Sequence, residues 1–104
     1  MPEGDESDIY FHDVPRELED LATEHQRGQS ATPMGQPWPL DAWPDVPTRF
    51  LVCSEDRSFP PDLVRRAVRA RLGIVPDEIA TGHMPMLARP TELAERLEAY
   101  SQDA

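Results

Sequence analysis

Apolar residues are unevenly spread along this chain of 104 residues and concentrate after residue 48, where two kinds of spacing alternate. Arg49-Phe50-Leu51-Val52-Cys53 contains a short continuous apolar run, the pattern of a strand buried on both faces. Pro60-Pro61-Asp62 then opens a helix that runs to Leu72. Leu63, Val64, Ala67, Val68 and Leu72 share one face of it, with Arg65, Arg66 and Arg69 on the other. Gly73 supplies the left-handed stop expected after a helix. A weak strand around Glu78-Ile79-Ala80 follows, then a turn at Gly82-His83. A last helix starts near Pro90-Thr91-Glu92, extendable backwards through Ala88 and Met86, with Leu93, Ala94, Leu97 and Tyr100 on its buried face.

The pattern before residue 48 is poorer. Asp8 to Gly28 carries one helix: Asp13 can cap it, Pro15 fits its first turn, and Glu17, Glu19 and Asp20 suit its positive end. Leu18, Leu21 and Ala22 form a narrow apolar stripe, and Gly28 is the expected stop. Gln29 to Pro47 is a loop punctuated by Pro33, Pro37, Pro39, Pro44 and Pro47, which removes amide donors and excludes both helix and central strand. Its two indoles, Trp38 and Trp43, need a surface to pack on, either the core or the wall of a pocket.

Composition narrows the class. Hydrophobic residues are 38% of the chain, below the usual range of about 45–50%. One small domain is the most that this length supports. The net charge of −10 is lopsided: residues 1–25 contribute −8 and residues 26–104 only −2. Such acidity repels phosphate backbones and anionic lipid, so nucleic-acid and membrane partners are not expected. Residues 1–8 read as a solvated acidic tail. Cys53 is the single cysteine, so no intrachain disulfide can form, and with no export signal or long apolar run the expected compartment is the cytoplasm.

Strand, helix, strand, helix is a βαβα unit with parallel strands, and sites in such sheets form beyond the carboxyl ends of the strands. Asp56 follows the first strand by three residues, and His83 stands at the matching place after the second. Adjacent strands lie ~4.8 Å apart, so the two side chains can meet in a hydrogen bond. An acid beside a histidine fixes the imidazole tautomer and stabilises the imidazolium formed when the ring takes a proton. The plainer reading is also open at this point: Asp56 could cap the next helix or pair with Arg57, and Gly82-His83 could be an ordinary turn.

The stretch Cys53-Ser54-Glu55-Asp56-Arg57-Ser58-Phe59-Pro60, with Gly82-His83-Met84-Pro85-Met86-Leu87 and Pro90, resembles the C-terminal part of an α/β-hydrolase. It is similar, more narrowly, to the methylesterase and hydroxynitrile-lyase-like branch, with its Asp-x-x-(apolar)-Pro turn and a histidine turn followed by Met and Leu. The likeness covers residues 48–100, and less specifically Asp8 to Trp43, which resembles the end of a cap. It implies an α/β fold: the C-terminal βαβα portion of an α/β-hydrolase parallel sheet, preceded by a helical and irregular cap remnant. The implied division is residues 1–8 as acidic tail, 9–47 as cap or lid remnant and Pro-rich loop, and 48–104 as the hydrolase segment.

By the same resemblance Asp56 is the triad acid and His83 the general base, no cofactor or metal is required, and the substrate is a small carboxylic ester. The family order places the serine first, on a Gly-x-Ser-x-Gly turn, and no such turn occurs in these residues. Ser30 lacks the second glycine and follows a helix rather than a strand, and Cys53 falls inside a strand, where a thiol is usually inert. The expectation is a partial or truncated hydrolase, inactive alone, which self-associates or pairs with a complementing N-terminal half through an exposed sheet edge. The alternative is a non-catalytic interaction module derived from a hydrolase, and a non-hydrolytic lyase variant belongs to the same family. Trp38, Trp43 and Met84 are candidate pocket residues; Met34 and Met86 could line the same pocket. His12-Asp13 reads as surface loop and His25 as a solvated helix residue.

Overall fold

The computed structural model describes residues 5–103. In chain order they form α1 (Glu6–Phe11), α2 (Arg16–Glu24), α3 (Thr32–Gly35), β1 (Leu51–Cys53), α4 (Pro61–Leu72), β2 (Asp77–Ile79), α5 (Pro85–Ala88) and α6 (Pro90–Asp103). The expected strand–helix–strand–helix unit is therefore present. Among these residues it holds a two-stranded parallel sheet.

β1 and β2 pair in the register Leu51↔Asp77, Val52↔Glu78 and Cys53↔Ile79. Hydrogen bonds continue the ladder past both strand ends. The Asp77 amide donates to the Phe50 carbonyl, Ser54 to Ile79, and Glu55 to Thr81, each at 2.9 Å. β1 is shorter than the sequence suggests and is not covered on both faces: Val52 is 2% exposed, whereas Leu51 and Cys53 are half-buried. β2 begins one residue earlier than expected, and its inward residue Ile79 is 1% exposed.

Two prolines set up α4. Pro60 has φ −56° and ψ 121°, an extended entry, and Pro61 occupies the first helical turn, where its missing amide costs nothing. Asp62 stands at the positive end, Arg69 and Arg71 at the negative end. Gly73, at φ +68°, ends the helix and donates its amide to the Arg69 carbonyl, as its place in the sequence suggests. Arg65 pins the helix to β2 by donating to both carboxylate oxygens of Glu78, at 2.9 and 2.7 Å. Of the apolar face, Val68 is buried while Leu63 is about half exposed.

The N-terminal part differs most from expectation. There are two helices where one is predicted, because Pro15, with ψ 138°, breaks the chain between Phe11 and Arg16. The acidic segment expected as a free tail is helical from Glu6, with Asp5 accepting from the Asp8 amide as its cap; residues 1–4 lie outside the described residues. Helix propensity at the acidic end is reinforced by burial of Ile9 and Phe11. Asp13 does not cap α2, and that helix stops at His25, not Gly28, where the His25 ring donates through Nδ1 to the Leu21 carbonyl at 2.8 Å.

Near the C-terminus, α5 and α6 are separate. Arg89 has φ −140° and ψ 62°, and the residue before a proline is driven out of the helical region. The α6 face expected to be buried is only partly so: Leu97 and Ala94 are exposed, whereas Leu93 and Tyr100 are half-buried. Tyr100 donates to Asp77 at 2.7 Å and anchors the helix to β2. Among the described residues no helix is long and apolar enough to cross a membrane.

Among the described residues the core consists of Ile9, Phe11, Val14, Val52, Val68 and Ile79, with the fully buried Thr81 donating to the Gly82 carbonyl. With so few buried side chains each counts heavily. Ile79→Ala is expected to cost about 2–5 kcal/mol, read as a lower midpoint in urea unfolding; a change within ~0.5 kcal/mol would exclude Ile79 from the core.

Candidate active site

The Glu55 amide to Thr81 carbonyl bond carries the parallel ladder into two turns, and each turn presents one polar side chain. Asp56 belongs to the turn after β1, whose first bond runs from its own amide to the Cys53 carbonyl. Its Oδ1 accepts the amides of Ser58 at 2.8 Å and Phe59 at 3.2 Å, so this oxygen shapes the loop. Its Oδ2 lies 3.1 Å from Nδ1 of His83. A carboxylate can only accept, so Nδ1 carries the proton and Nε2 is left as the basic nitrogen. Asp56 is well covered, its side chain 10% exposed, and His83 less so at 24%.

Asp56 does not pair with Arg57, which reaches Asp8 of α1 instead. Nor does it cap α4, whose N-cap is Pro60 without a side-chain bond. Two rings flank His83: Tyr10 edge-on at 5.2 Å between centroids, and Phe59 tilted at 5.4 Å. The pair thus has an ordered carboxylate, a fixed tautomer and an imidazole in contact with two aromatic rings. Such an arrangement can accept a proton at Nε2 and stabilise the resulting imidazolium.

Trp38 and Trp43 do not join this pair. They stack on each other, 6.2 Å between centroids and 8° between planes, and stay 60% and 53% exposed. With Phe50, Phe59, Leu63 and Val64 they line an open groove of about 1030 Å³ over α4. Phe59 is shared, lining that groove and packing on His83. Met84, half-buried, follows His83 directly and forms the N-cap of α5; Met34 and Met86 are exposed.

Ser30 is exposed; it donates to the Thr32 hydroxyl and accepts the Thr32 amide, at the start of α3. Cys53 is half-buried, and its thiol is pushed up from its ordinary value, chiefly by burial. A hydrogen bond with Thr81 acts in the opposite sense, and the charges of Asp56 and Asp13 add to the rise. Among the described residues no three His, Cys, Asp or Glu side chains gather as a metal site.

His12 and Asp13 are not the surface loop that their sequence suggests. His12 donates from Nε2 to the Glu55 carbonyl at 2.8 Å, and Asp13 Oδ2 accepts the Gly82 amide at 2.7 Å. The sequence holds one signal for this, a glycine immediately before His83, but nothing local says what approaches it.

A raised thiol pKa means little thiolate near neutrality. Cys53 should therefore alkylate slowly at pH 7, with a rate that climbs as pH passes the ordinary thiol range. Labelling at neutral pH as fast as a free thiol would contradict that environment.

No curated protein and no solved structure gives a significant match to this chain. The model of the alpha/beta hydrolase family matches residues 2–96, a span that includes both turns and the helices that contact them. A parallel strand pair with helices, matched to that family over nearly its whole length, establishes the family though not the branch: the chain belongs to the alpha/beta hydrolase family.

Proposed function

We propose that these residues form the acid–histidine part of a serine-type esterase of the alpha/beta hydrolase family, with the nucleophile supplied from outside them. The observation that carries this reading is the 3.1 Å contact between Asp56 Oδ2 and His83 Nδ1 at neighbouring strand ends. In the complete site His83 Nε2 takes the proton of the serine hydroxyl as the oxygen attacks the ester carbonyl. The same nitrogen returns that proton to the leaving alcohol. It then deprotonates the water that releases the acid and regenerates the serine. Asp56 stays ionised throughout, holding the tautomer and balancing the imidazolium charge. The substrate class is a small carboxylic ester, and no cofactor enters the cycle.

A second reading, an interaction module with no turnover of its own, is favoured by a separate observation. Trp38, Trp43, Phe59 and Leu63 are each more than half exposed around the groove over α4. Large apolar clusters of that kind mark contact surfaces. A second copy or a complementing hydrolase half is the partner this reading requires.

Two measurements separate the readings. The 104-residue chain alone is expected to leave a chromogenic acetate ester unhydrolysed, whereas adding a hydrolase half that carries the serine turn should restore turnover. In that complex Asp56→Asn should lower kcat by about 10⁴-fold and His83→Ala by about 10⁶-fold. Turnover by the chain alone, abolished by His83→Ala, would overturn the missing-nucleophile assignment; restored turnover insensitive to both variants would remove the pair from catalysis. Light scattering after size exclusion tests the contact surface: Trp38→Ser with Trp43→Ser should shift self-associated chain toward monomer, and a monomeric parent chain at high concentration counts against self-association.

A further inference from the structure

We propose that the segment Tyr10–Asp13, at the junction of α1 and α2, is the positioning element of the Asp56–His83 pair. This inference rests on the reading of that pair as a proton relay. Each turn of the site is held at the residue immediately before its functional side chain. His12 holds Glu55, the neighbour of Asp56, through its carbonyl, and Asp13 holds Gly82, the neighbour of His83, through its amide. His12 and Asp13 are consecutive, so one dipeptide fixes the spacing between the two turns. Tyr10, two residues before His12, makes a T-shaped contact with the His83 ring.

Gly82 is what lets the segment come so close. A Cβ there would lie 2.5 Å from His12 Nε2 and 2.8 Å from Asp13 Oδ1, both below any allowed contact. The backbone of Gly82 has no left-handed requirement, so close approach is the reason for glycine here. Among the described residues Asp13 Oδ1 is buried without a hydrogen-bond partner, while Oδ2 takes the Gly82 amide. A carboxylate kept in that state, when an apolar residue would fill the space, points to the amide bond as its purpose. The Arg57–Asp8 ion pair joins α1 to the same turn, but both partners are more than half exposed and contribute little.

Positioning matters because the relay has little slack. A charge-assisted N–H···O bond is shorter than the 3.1 Å seen between Nδ1 and Oδ2, and a further shift of a few tenths of an ångström takes it out of bonding range. The two turns stand on a ladder of only three residues per strand, so an outside strut holds them better than the sheet can alone.

The test is NMR on the 15N-labelled 104-residue chain, reading the His83 Nδ1–H resonance and ring 15N shifts, with the Val52 and Ile79 amides as reporters of the ladder. Asp56→Ala should abolish the downfield Nδ1–H resonance. Asp13→Ala, His12→Ala and Gly82→Ala should also abolish it while the ladder amides persist; Asp13→Asn and His12→Gln, which keep the accepting and donating atoms, should retain it. A resonance unaffected by Asp56→Ala defeats the relay reading itself, whatever the other variants do. One lost in Asp56→Ala but kept in both Asp13→Ala and His12→Ala overturns the positioning role alone. Where Asp13→Ala loses the ladder amides, His12→Ala decides by the same reading. Unfolding of both, with the conservative variants folded, overturns the proposal in favour of a purely structural contact.

Discussion

Parallel pairing of β1 with β2 is the constraint on which everything else rests. Its register puts Val52 and Ile79 inward, and its last hydrogen bond, from Glu55 to Thr81, delivers the chain to both functional turns at the same level. A shift of one residue in either strand would send Val52 or Ile79 to the other face and separate Asp56 from His83. The site is therefore a consequence of strand register before it is a matter of side-chain chemistry.

Magnitudes identify what holds that register. Burying a side chain such as Ile79 or Val52 is worth about 1.5–3 kcal/mol each, whereas exposed ion pairs of the Arg16–Asp20 kind contribute about 0–1 kcal/mol. The many arginine–carboxylate contacts on this acidic chain are thus of minor weight beside a few apolar residues. A two-stranded sheet is marginal by itself. Here α4, which carries the buried Val68, packs on β1, and Ile9, Phe11 and Val14 of the N-terminal part add to the buried apolar set.

That balance explains the asymmetry of the surface. Polar groups of the site are tightly spoken for: both Asp56 oxygens are used, the His83 ring packs against Tyr10 and Phe59, and the Gly82 amide is taken. The α4 side is the opposite, with stacked indoles and leucine left open around a wide groove. Against the expectation that prolines exclude helix from residues 29–47, Thr32–Gly35 forms the single turn α3, because Pro33 is tolerated in a first helical turn. The rest stays irregular among the described residues, and the two tryptophans cover part of the α4 face and each other.

The sequence alone determined the elements whose causes are local. Pro60, Pro61 and Gly73 bound α4 through fixed or positive φ, and the apolar run at Leu51–Cys53 formed β1. Spacing after each strand pointed to Asp56 and His83 as neighbours, and the structure places them three and four residues past the paired Cys53 and Ile79, with their side chains 3.1 Å apart. What lay beyond the sequence was set by contacts distant along the chain. Asp13 looks like a helix cap and becomes the partner of Gly82; residues 6–8 look like a tail and become a helix; the indoles, which the sequence leaves open between core and pocket wall, stack on each other and line the groove over α4. The tertiary structure decided these because a short polar side chain has the same local preference for a cap, a turn or a strut. Only the approach of the Gly82 backbone, separated from Asp13 by 69 residues, selects among them.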